Sequence, residues 1–531
     1  MKINVTKSAS VLLAAGIAFA AFGTPALATG PVTGTGTTNF YVQNTSLTTV
    51  ASVVAQYYGP TGSTDATRNV SINPGSSFAF MADASGLGAG WKGSVVVSSD
   101  QDVVAAAETV WTNIPGAAGK VDQYERDAYG AINNGSSVQY IPGIVINGAV
   151  VSGVPVGERG QLGVQNTTGS PATIYVSWQK RGALTPDYVS IDVVPAYAAH
   201  TYDLGNPGGT TPDLLALNSL PSTGAWTGSA IVTSTSQLAA ALSTQFATYS
   251  GQDEATTTPS TSWLGVAYPR RYQAGAWQEH GILTLQNPNN STATVQVDFI
   301  NKVTGGVSLT VNTTIGAYNA IGINAKDGGC AACTPVVAGS AMQALGGSIG
   351  SGTVTFAGTI SVTSNIPIVG FVTIKQEFNQ QGDIFNLVDR NGTNGKTGFI
   401  AHAVRNGLGT SSTDWSRVNI ANLGNAPATV SISFYNAAGT LQGVLNPTVD
   451  IDPSKTIAPG AVASVNLKGG GDLATAALLD SKVTGNFNGS IVVVSNQPIA
   501  LLCDGLYSSD GNPGQNATNI LSFSSYNGST R

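Results

Sequence analysis

The clearest pattern along this chain is a β-branched segment that follows an aromatic residue, one spacer and a glycine, and it occurs four times. In each copy apolar residues alternate with serine or threonine, which predicts a strand with one packed face. The copies occupy residues 91–98, 226–232, 356–364 and 487–495. Their glycines lie about 130 residues apart, a spacing typical of whole domains and longer than most solenoid repeats.

Other segments recur in a fixed order around each copy. A short alternating strand that closes on an asparagine comes first, a second alternating strand follows, then a corner containing Pro or Gly, and an apolar strand ends the repeat. The closing asparagines are Asn44, Asn166, Asn287 and Asn422. Because no segment has a convincing helical period, we expect an all-β chain of antiparallel β-sandwich modules.

The repeats define the expected domain boundaries. We expect a signal peptide at 1–28, module 1 at 29–135, module 2 at 136–260, module 3 with a Cys-containing loop at 261–395, module 4 at 396–510 and a C-terminal tail at 511–531. A further segment precedes the first strand of modules 2, 3 and 4, at 138–145, 264–271 and 398–404, and is expected to form an extra edge strand. Module 1 has no such segment.

The strand order, the asparagine turn, the corner and the aromatic-x-Gly strand together resemble the immunoglobulin-like β-sandwich repeats found in tandem in secreted bacterial surface proteins, including adhesins, surface-layer proteins and filament subunits. The resemblance covers nearly all of residues 39–506. It implies a linear array of four immunoglobulin-like modules after the signal peptide. Its motifs are structural, so it carries over no functional residue, and a function taken from it is an analogy.

The N-terminus has the pattern of a secretory leader. Lys2 and Lys7 form a short basic region, an apolar segment spans 10–22, and Ala26 and Ala28 make a small-x-small site with cleavage expected before Thr29. The alternative is a retained membrane anchor, but the apolar segment is short for a bilayer and no later run reaches about 20 apolar residues. We therefore expect a secreted or cell-surface protein with no membrane span in the mature chain.

Composition excludes one class of partner. Charged residues make up 9% of the chain, the net charge is −6 and the isoelectric point is near 5.0. A chain this poor in basic residues is unsuited to electrostatic binding of nucleic acid. Its dense and periodic apolar residues also argue against disorder.

The three cysteines have different expected roles. Cys330 and Cys333 lie in a Gly- and Pro-containing loop, where a local disulfide is the favoured interpretation in an exported chain. A metal site would need two more soft ligands, and a redox Cys-x-x-Cys would normally open a helix, so both alternatives fit less well. Cys503 lies in an apolar run and is expected to be a buried free thiol.

Candidate chemistry is sparse elsewhere, so we expect no enzyme. His200, His280 and His402 occupy non-equivalent places in three modules, and the Gly-x-Ser-x-Gly match at 346–350 lies in a loop that leads to a strand. The segment 389–394 has oxygen-bearing side chains at alternate positions and is a weak candidate for Ca²⁺, because it lacks the bidentate acid of a calcium loop. We expect no other cofactor.

Two functions remain as hypotheses. The first is a non-enzymatic structural protein of the bacterial cell surface that assembles into a filament or layer, with the tail of one copy adding a strand to module 1 of the next. The alternative is an adhesin or carbohydrate-binding protein whose exposed Trp263, Trp277 and Trp415 stack on sugars, although an aromatic wedged between modules is the more ordinary role. The expected partners are accordingly other copies of the chain or a surface glycan.

Overall fold

The structure, a computed structural model, is built almost entirely of antiparallel strands. The all-β prediction is confirmed, and the described helices are short. No helix in the described part of the chain is both long and apolar enough to cross a membrane. The structure describes residues 17–20, 35–81, 86–88, 91–112, 125–133, 135–146, 150–151, 154–155, 159–183, 185–203, 226–245, 250–273, 275–302, 304–330, 333, 341–348, 352–376, 381–392, 394–406, 414–507 and 522–530.

The described strands pair within four successive stretches of chain, which we call units 1 to 4. Unit 1 contains β1 (Ile17–Ala20), β2 (Thr35–Asn44), β3 (Ala51–Tyr58), β4 (Thr64–Ile72), β5 (Ser77–Phe80), β6 (Ser94–Ser99), β7 (Val103–Thr112), β8 (Glu125–Gly130) and β9 (Ile132–Asn133). Unit 2 contains β10 (Ser136–Ile146), β11 (Val150–Val151), β12 (Val154–Pro155), β13 (Arg159–Asn166), β14 (Ala172–Lys180), β15 (Tyr188–Val194), β16 (Ala199–Asp203), β17 (Trp226–Gln245) and β18 (Ser250–Glu254).

The other two units follow the same plan with longer loops. Unit 3 contains β19 (Ser260–Gln273), β20 (Ala276–Gln286), β21 (Ala293–Asn301), β22 (Val307–Ile315), β23 (Ala320–Asn324), a 3-10 helix (Ala341–Ala344), β24 (Thr353–Gln376), β25 (Gln381–Asn386) and β26 (Val388–Asp389). Unit 4 contains β27 (Thr397–Asn406), β28 (Asp414–Asn422), β29 (Val430–Asn436), β30 (Leu441–Leu445), α1 (Pro447–Asp450), β31 (Val462–Asn466), β32 (Gly470–Gly471), α2 (Ala476–Lys482), β33 (Phe487–Ser495), β34 (Ile499–Tyr507) and β35 (Ser522–Thr530).

The strand order recurs from unit to unit. One layer runs β15-β14-β17-β10 in unit 2, and its counterparts are β4-β3-β6-β1, β22-β21-β24-β19 and β30-β29-β33-β27. The facing layer runs β16-β13-β17-β18, with counterparts β5-β2-β7-β8, β23-β20-β24-β25 and β31-β28-β34-β35. β17 and β24 are long enough to pass through both layers, whereas units 1 and 4 use two separate strands. The three segments expected as extra edge strands lie in β10, β19 and β27.

Period-two patterning forms the second strand of each unit. In β21, Val295, Val297 and Phe299 are buried while Thr294 and Gln296 are exposed. Such alternation places one face of a strand against the core and the other in water.

The closing asparagines hold each unit together. Asn287 is fully buried, and its side-chain amide donates to the carbonyls of Ser291 (2.7 Å), Ile315 (3.0 Å) and Gly316 (3.0 Å). Its Oδ1 accepts from the backbone N–H of Asn289. One side chain therefore ties the turn after the first strand to the corner of the same unit. The equivalent bonds are made by Asn44, Asn166 and Asn422.

The C-terminal tail pairs within unit 4, whereas the sequence predicts that it adds a strand to module 1 of another copy. β35 pairs with β34 along its length and with β27 through Ser529 and Thr530. Its place matches that of β8, β18 and β25 at the ends of the other units. The tail residues before Ser522 and the last residue lie outside the described part of the chain.

The place of the missing leading strand in unit 1 is also filled. β1 pairs with Ser94–Val97 of β6 on one side and with β9 on the other. It therefore stands where β10, β19 and β27 stand in the other units, although it lies inside the expected leader. Within the described residues, β1 has 4 residues, whereas β10, β19 and β27 have 11, 14 and 10.

The units form a closed ring, and the expected linear array is wrong. β8 contacts β18, β18 contacts β25, β25 contacts β35, and β35 contacts β8. A linear array would leave units 1 and 4 apart. The ring closes because apolar cores continue across the boundaries: Tyr41 and Ala106 of unit 1 belong to the core of unit 4, and Trp415 of unit 4 belongs to the core of unit 3.

Candidate functional site

The side chains expected to stack on sugars are buried, which corrects that expectation. Trp263 and Trp415 are each 3% exposed and Trp277 is 8% exposed. The Trp263 indole N–H donates to the carbonyls of Ser260 and Ile368, at 3.0 and 2.9 Å. The guanidinium of Arg270 lies 5.3 Å from the Trp277 ring, and the Lys468 ammonium lies 4.4 Å from the Trp415 ring.

The cysteines pair locally. Cys330 and Cys333 are joined by a disulfide with a Cα–Cα distance of 5.4 Å, and both are buried. The neighbouring segment is fixed by Arg270, which is 2% exposed and donates to the carbonyls of Ala325, Leu345 and Gly347. Gly347, the second residue of the Gly-x-Ser-x-Gly match, therefore contributes a backbone carbonyl that accepts a hydrogen bond from Arg270. Cys503 is a buried free thiol.

In the candidate calcium segment, the oxygens of Asp389 accept hydrogen bonds from protein donors. Asp389 Oδ1 accepts from the Ser260 hydroxyl at 2.6 Å and from the Asn391 backbone N–H at 2.9 Å. The Asn394 amide donates to the Asp389 carbonyl at 2.6 Å. Within the described residues, no group of three or more His, Cys, Asp or Glu side chains is arranged to hold a metal ion.

The boundaries between units contain a repeated contact, which we call the joint. A hydroxyl that follows the motif glycine of one unit donates to the backbone carbonyl at the corner of the next unit. The three bonds are Ser94 to Tyr197 (2.5 Å), Thr359 to Gly460 (2.7 Å) and Ser490 to Gly75 (2.9 Å). They cross from unit 1 to unit 2, from unit 3 to unit 4 and from unit 4 back to unit 1.

The glycine of the motif is required within its own unit. A Cβ on Gly228 would collide with the Gln179 carbonyl and the Trp226 ring, and the same holds at Gly93, Gly358 and Gly489 against their own second strands. The sequence interpretation of this motif as packed core is therefore incomplete. Its glycine and aromatic pack inside a unit, and its hydroxyl reaches out to the next one.

The corner of each unit has a residue with left-handed backbone conformation at its tip. Gly75 and Gly460 have φ of 71° and 72°, and Tyr197 and Tyr318 have φ of 59° and 56°. A tyrosine in this region carries a cost of about 1 kcal/mol or more. At Tyr197 a contact with unit 1 offsets this cost, because its ring stacks on Tyr58 with 4.8 Å between centroids.

The boundary between units 4 and 1 has further contacts besides the joint. The His402 ring stacks on Tyr41, and its Nδ1 lies 3.3 Å from Glu108 Oε2. These residues and Cys503 line a cavity of about 20 Å³, which is enough for one water molecule. The Asn73 amide also donates to the Ala438 carbonyl at 3.0 Å.

Hydrogen bonds also link the four strands that contact one another around the ring, β8, β18, β25 and β35. Gly130 N–H of unit 1 donates to Glu254 Oε2 of unit 2 at 3.1 Å. The Asn386 amide of unit 3 donates to the Glu254 carbonyl at 2.5 Å, and the Asn527 amide of unit 4 donates to the Asn386 carbonyl at 3.0 Å. These residues occupy equivalent positions, because they lie opposite Ala106, Ala241, Phe371 and Leu502.

Burial shifts the pKa of two ionisable groups in the direction that favours the neutral form. Burial raises the pKa of Asp253 well above its ordinary value, and the charges of Glu254 and Asp383 act in the same direction. Burial lowers the pKa of His280 to about 3, with help from Lys375 and Lys326.

The contacts between units were not predictable from the motifs that the sequence singled out. The signal for the joint was present, since Ser or Thr follows the motif glycine in all four copies. Its partner is a backbone carbonyl, and because every residue has one, the sequence does not indicate which carbonyl accepts the bond.

Comparison with known proteins identifies no family. No family model matches the chain, and no curated protein matches it. Among solved structures, it is similar to one described as the crystal structure of Thermotoga maritima 1070, with 14% identity, 23% of this chain and 95% of that chain covered, and a TM-score of 0.17.

Proposed function

We propose that this chain is a non-enzymatic structural protein of the bacterial cell surface, exported by its leader, whose copies assemble into a filament or layer. Three features support this function: the expected export of the chain, the ring of units and the repeated joint. It assigns no catalytic residue.

The observation that carries the proposal is the joint between units 4 and 1. Ser490 bonds to Gly75 as Ser94 bonds to Tyr197, although units 4 and 1 are not consecutive. These surfaces therefore associate through their own complementarity. The same contact that closes a ring within one chain would link unit 4 of one copy to unit 1 of the next if the ring opened.

Low charge supports close packing of copies. With 9% charged residues and a net charge of −6 over 531 residues, the surface produces little mutual repulsion. A layer would bring closed rings side by side, and a filament would use opened rings.

Negative-stain electron microscopy of the exported protein tests the proposal. Ordered filaments or sheets are expected, and a uniform population of single rings at all concentrations would contradict it. Ser490→Lys places a charge in the joint and should abolish filaments, whereas Asn69→Lys on the exposed side of β4 should not. Filaments that persist in Ser490→Lys would contradict the role given to the joint.

The adhesin alternative loses its candidate residues, because the three tryptophans are buried. The same protein sample on a glycan array tests that alternative directly. Specific glycan binding by a protein that forms no polymers would favour it over the proposal.

A further inference from the structure

We propose that the outer face of β15 in unit 2 is a docking surface for a second copy of this chain, which binds by antiparallel pairing of β15 with the same strand of the other copy. The inference rests on the proposed function and deepens it, because it names a surface through which copies meet.

The outer face of β15 is apolar and open to solvent. Val189, Ile191 and Val193 are 42%, 60% and 65% exposed, and Tyr175 on the adjacent strand is 42% exposed. Tyr175 lies directly opposite Ile191 in the β14–β15 pair. The four side chains form one contiguous patch, and exposed apolar patches of this kind mark interaction sites.

The fold does not require apolar residues at these positions. Ala51, Ala172 and Ala293 begin the second strands of units 1, 2 and 3 and fix the equivalent register of β4, β15 and β22. At the three positions where β15 has Val, Ile and Val, the other two strands carry polar residues. These are Thr67, Asn69 and Ser71 in β4, and Thr310, Asn312 and Thr314 in β22.

β15 also lies at the edge of its sheet in the described part of the chain, with β14 as its neighbour. An edge strand offers unpaired backbone groups to another strand, and proteins usually protect such edges with charges, prolines or bulges. The β14–β15 ladder is regular over Tyr188–Val194, and the outward side chains carry no charge.

The strand is self-complementary, which is why a second copy is the expected occupant. Ile191 is the central residue of β15, so a two-fold axis through it places Ile191 against Ile191 and Val189 against Val193 of the second copy. Asp192 then faces Ser190, and no like charges oppose each other. The patch consists of four side chains, whereas a standard interface has about 20–30 residues on each side, so the dimer should be weak and concentration-dependent.

Sedimentation velocity and cysteine cross-linking test this interface. The wild-type protein should dimerise as its concentration rises, and Ile191→Lys should shift the equilibrium to monomer by at least tenfold without changing the thermal midpoint, because the side chain is exposed. Asn312→Lys, at the matching position of unit 3, is the control and should dimerise as the wild type does. A dimer that survives Ile191→Lys, or a wild type that stays monomeric, overturns the proposal.

Cysteine cross-linking tests the register in which the two copies of β15 pair. Under mild oxidation Ile191→Cys should form a covalent dimer, whereas Val189→Cys and Val193→Cys should each form none alone but cross-link when mixed. Any other pattern overturns the two-fold pairing. Polymers that are unchanged by Ile191→Lys would overturn this surface and leave the proposed function standing, and a cross-linked dimer that never grows would do the reverse.

Discussion

The ring of His402 in unit 4 lies flat on the ring of Tyr41 in unit 1, with 3.6 Å between centroids and 3° between planes. The equivalent residue of unit 2 is Gly143, because both occupy the bulge of the leading strand. Gly143 faces the Phe371 ring and Thr284 of unit 3. At the boundary between units 4 and 1, the space beside this bulge is filled by His402 of the leading strand itself. At the boundary between units 2 and 3, the leading strand has Gly143, and the same space is filled by Phe371 of the following unit.

His402→Gly should loosen the boundary between units 4 and 1. The variant loses the stack on Tyr41 and the contact with Glu108, which together are worth about 1–2 kcal/mol. Hydrogen exchange should speed up in β2 and at Ser490, and the midpoint of urea unfolding should fall. His200→Ala removes a histidine that lies in unit 2 beside Asp192 and is the control. Unchanged exchange in β2 would show that the stack does not hold the ring closed.

Thr359→Val should weaken the boundary between units 3 and 4. The substitution keeps the shape of the side chain but leaves the Gly460 carbonyl without its 2.7 Å bond to the Thr359 hydroxyl. A buried carbonyl that loses its partner costs about 1–3 kcal/mol, which urea unfolding would detect. Thr363→Val makes the same change at an exposed position of the same strand and should alter stability by no more than about 0.5 kcal/mol. Equal stability of the two variants would remove the joint as a source of cohesion.

Asn287→Asp should lower the stability of the protein by more than the small change in side-chain size suggests. The amide donates to three carbonyls, and an ionised carboxylate in its place would donate to none and would face them with a negative charge. A loss of about 2–4 kcal/mol is expected, measured by thermal or urea unfolding at pH 7. Asn312→Asp on the exposed side of β22 is the matched control. A small loss at Asn287 would mean that the turn does not depend on these bonds.

Much of the fold was readable from local patterning. The alternation in β21, the asparagine turns and the segments that form β10, β19 and β27 are all set by interactions within a few residues or within one sheet, and these leave periodic signals. Which units contact one another, and whether they form a line or a ring, depends on contacts between residues of different units. A linear array and a ring require the same pattern inside each unit.

The candidate site was less predictable for the same reason. Burial of Trp415 depends on a neighbouring unit, and its sequence context resembles that of an exposed loop residue. The sequence predicts that the tail pairs with module 1 of another copy, yet Ser522–Thr530 pairs within unit 4, at the place that β8 takes in unit 1. The missing information was the equivalence of terminal strands that share little sequence.

Stability should depend on pH through Asp253. Its folded-state pKa is raised by burial, so below pH 3.8 the carboxyl is protonated in both states and contributes its full share of stability. As the pH rises, the unfolded state loses its proton first, and the free energy of unfolding falls by about 1.4 kcal/mol per pH unit until the folded-state pKa is reached. Asp253→Asn should remove this fall and be the more stable protein at pH 7. Urea unfolding between pH 4 and 8 measures both slopes, and parallel slopes would contradict the burial of a neutral carboxyl.

Removal of the expected leader should expose the edge of β6. Cleavage before Thr29 would take away β1, which pairs with Ser94–Val97 and with β9. The backbone groups on that edge would then meet water, so hydrogen exchange at Val95 and Val97 should be at least tenfold faster in a chain that begins at Thr29 than in the full chain. Ile491–Val494 of β33 is the internal control, because β27 covers the equivalent edge there. If the two chains protect Val95 and Val97 equally, β1 does not pair with β6 in solution, and unit 1 keeps an open edge to which a strand from another copy can add.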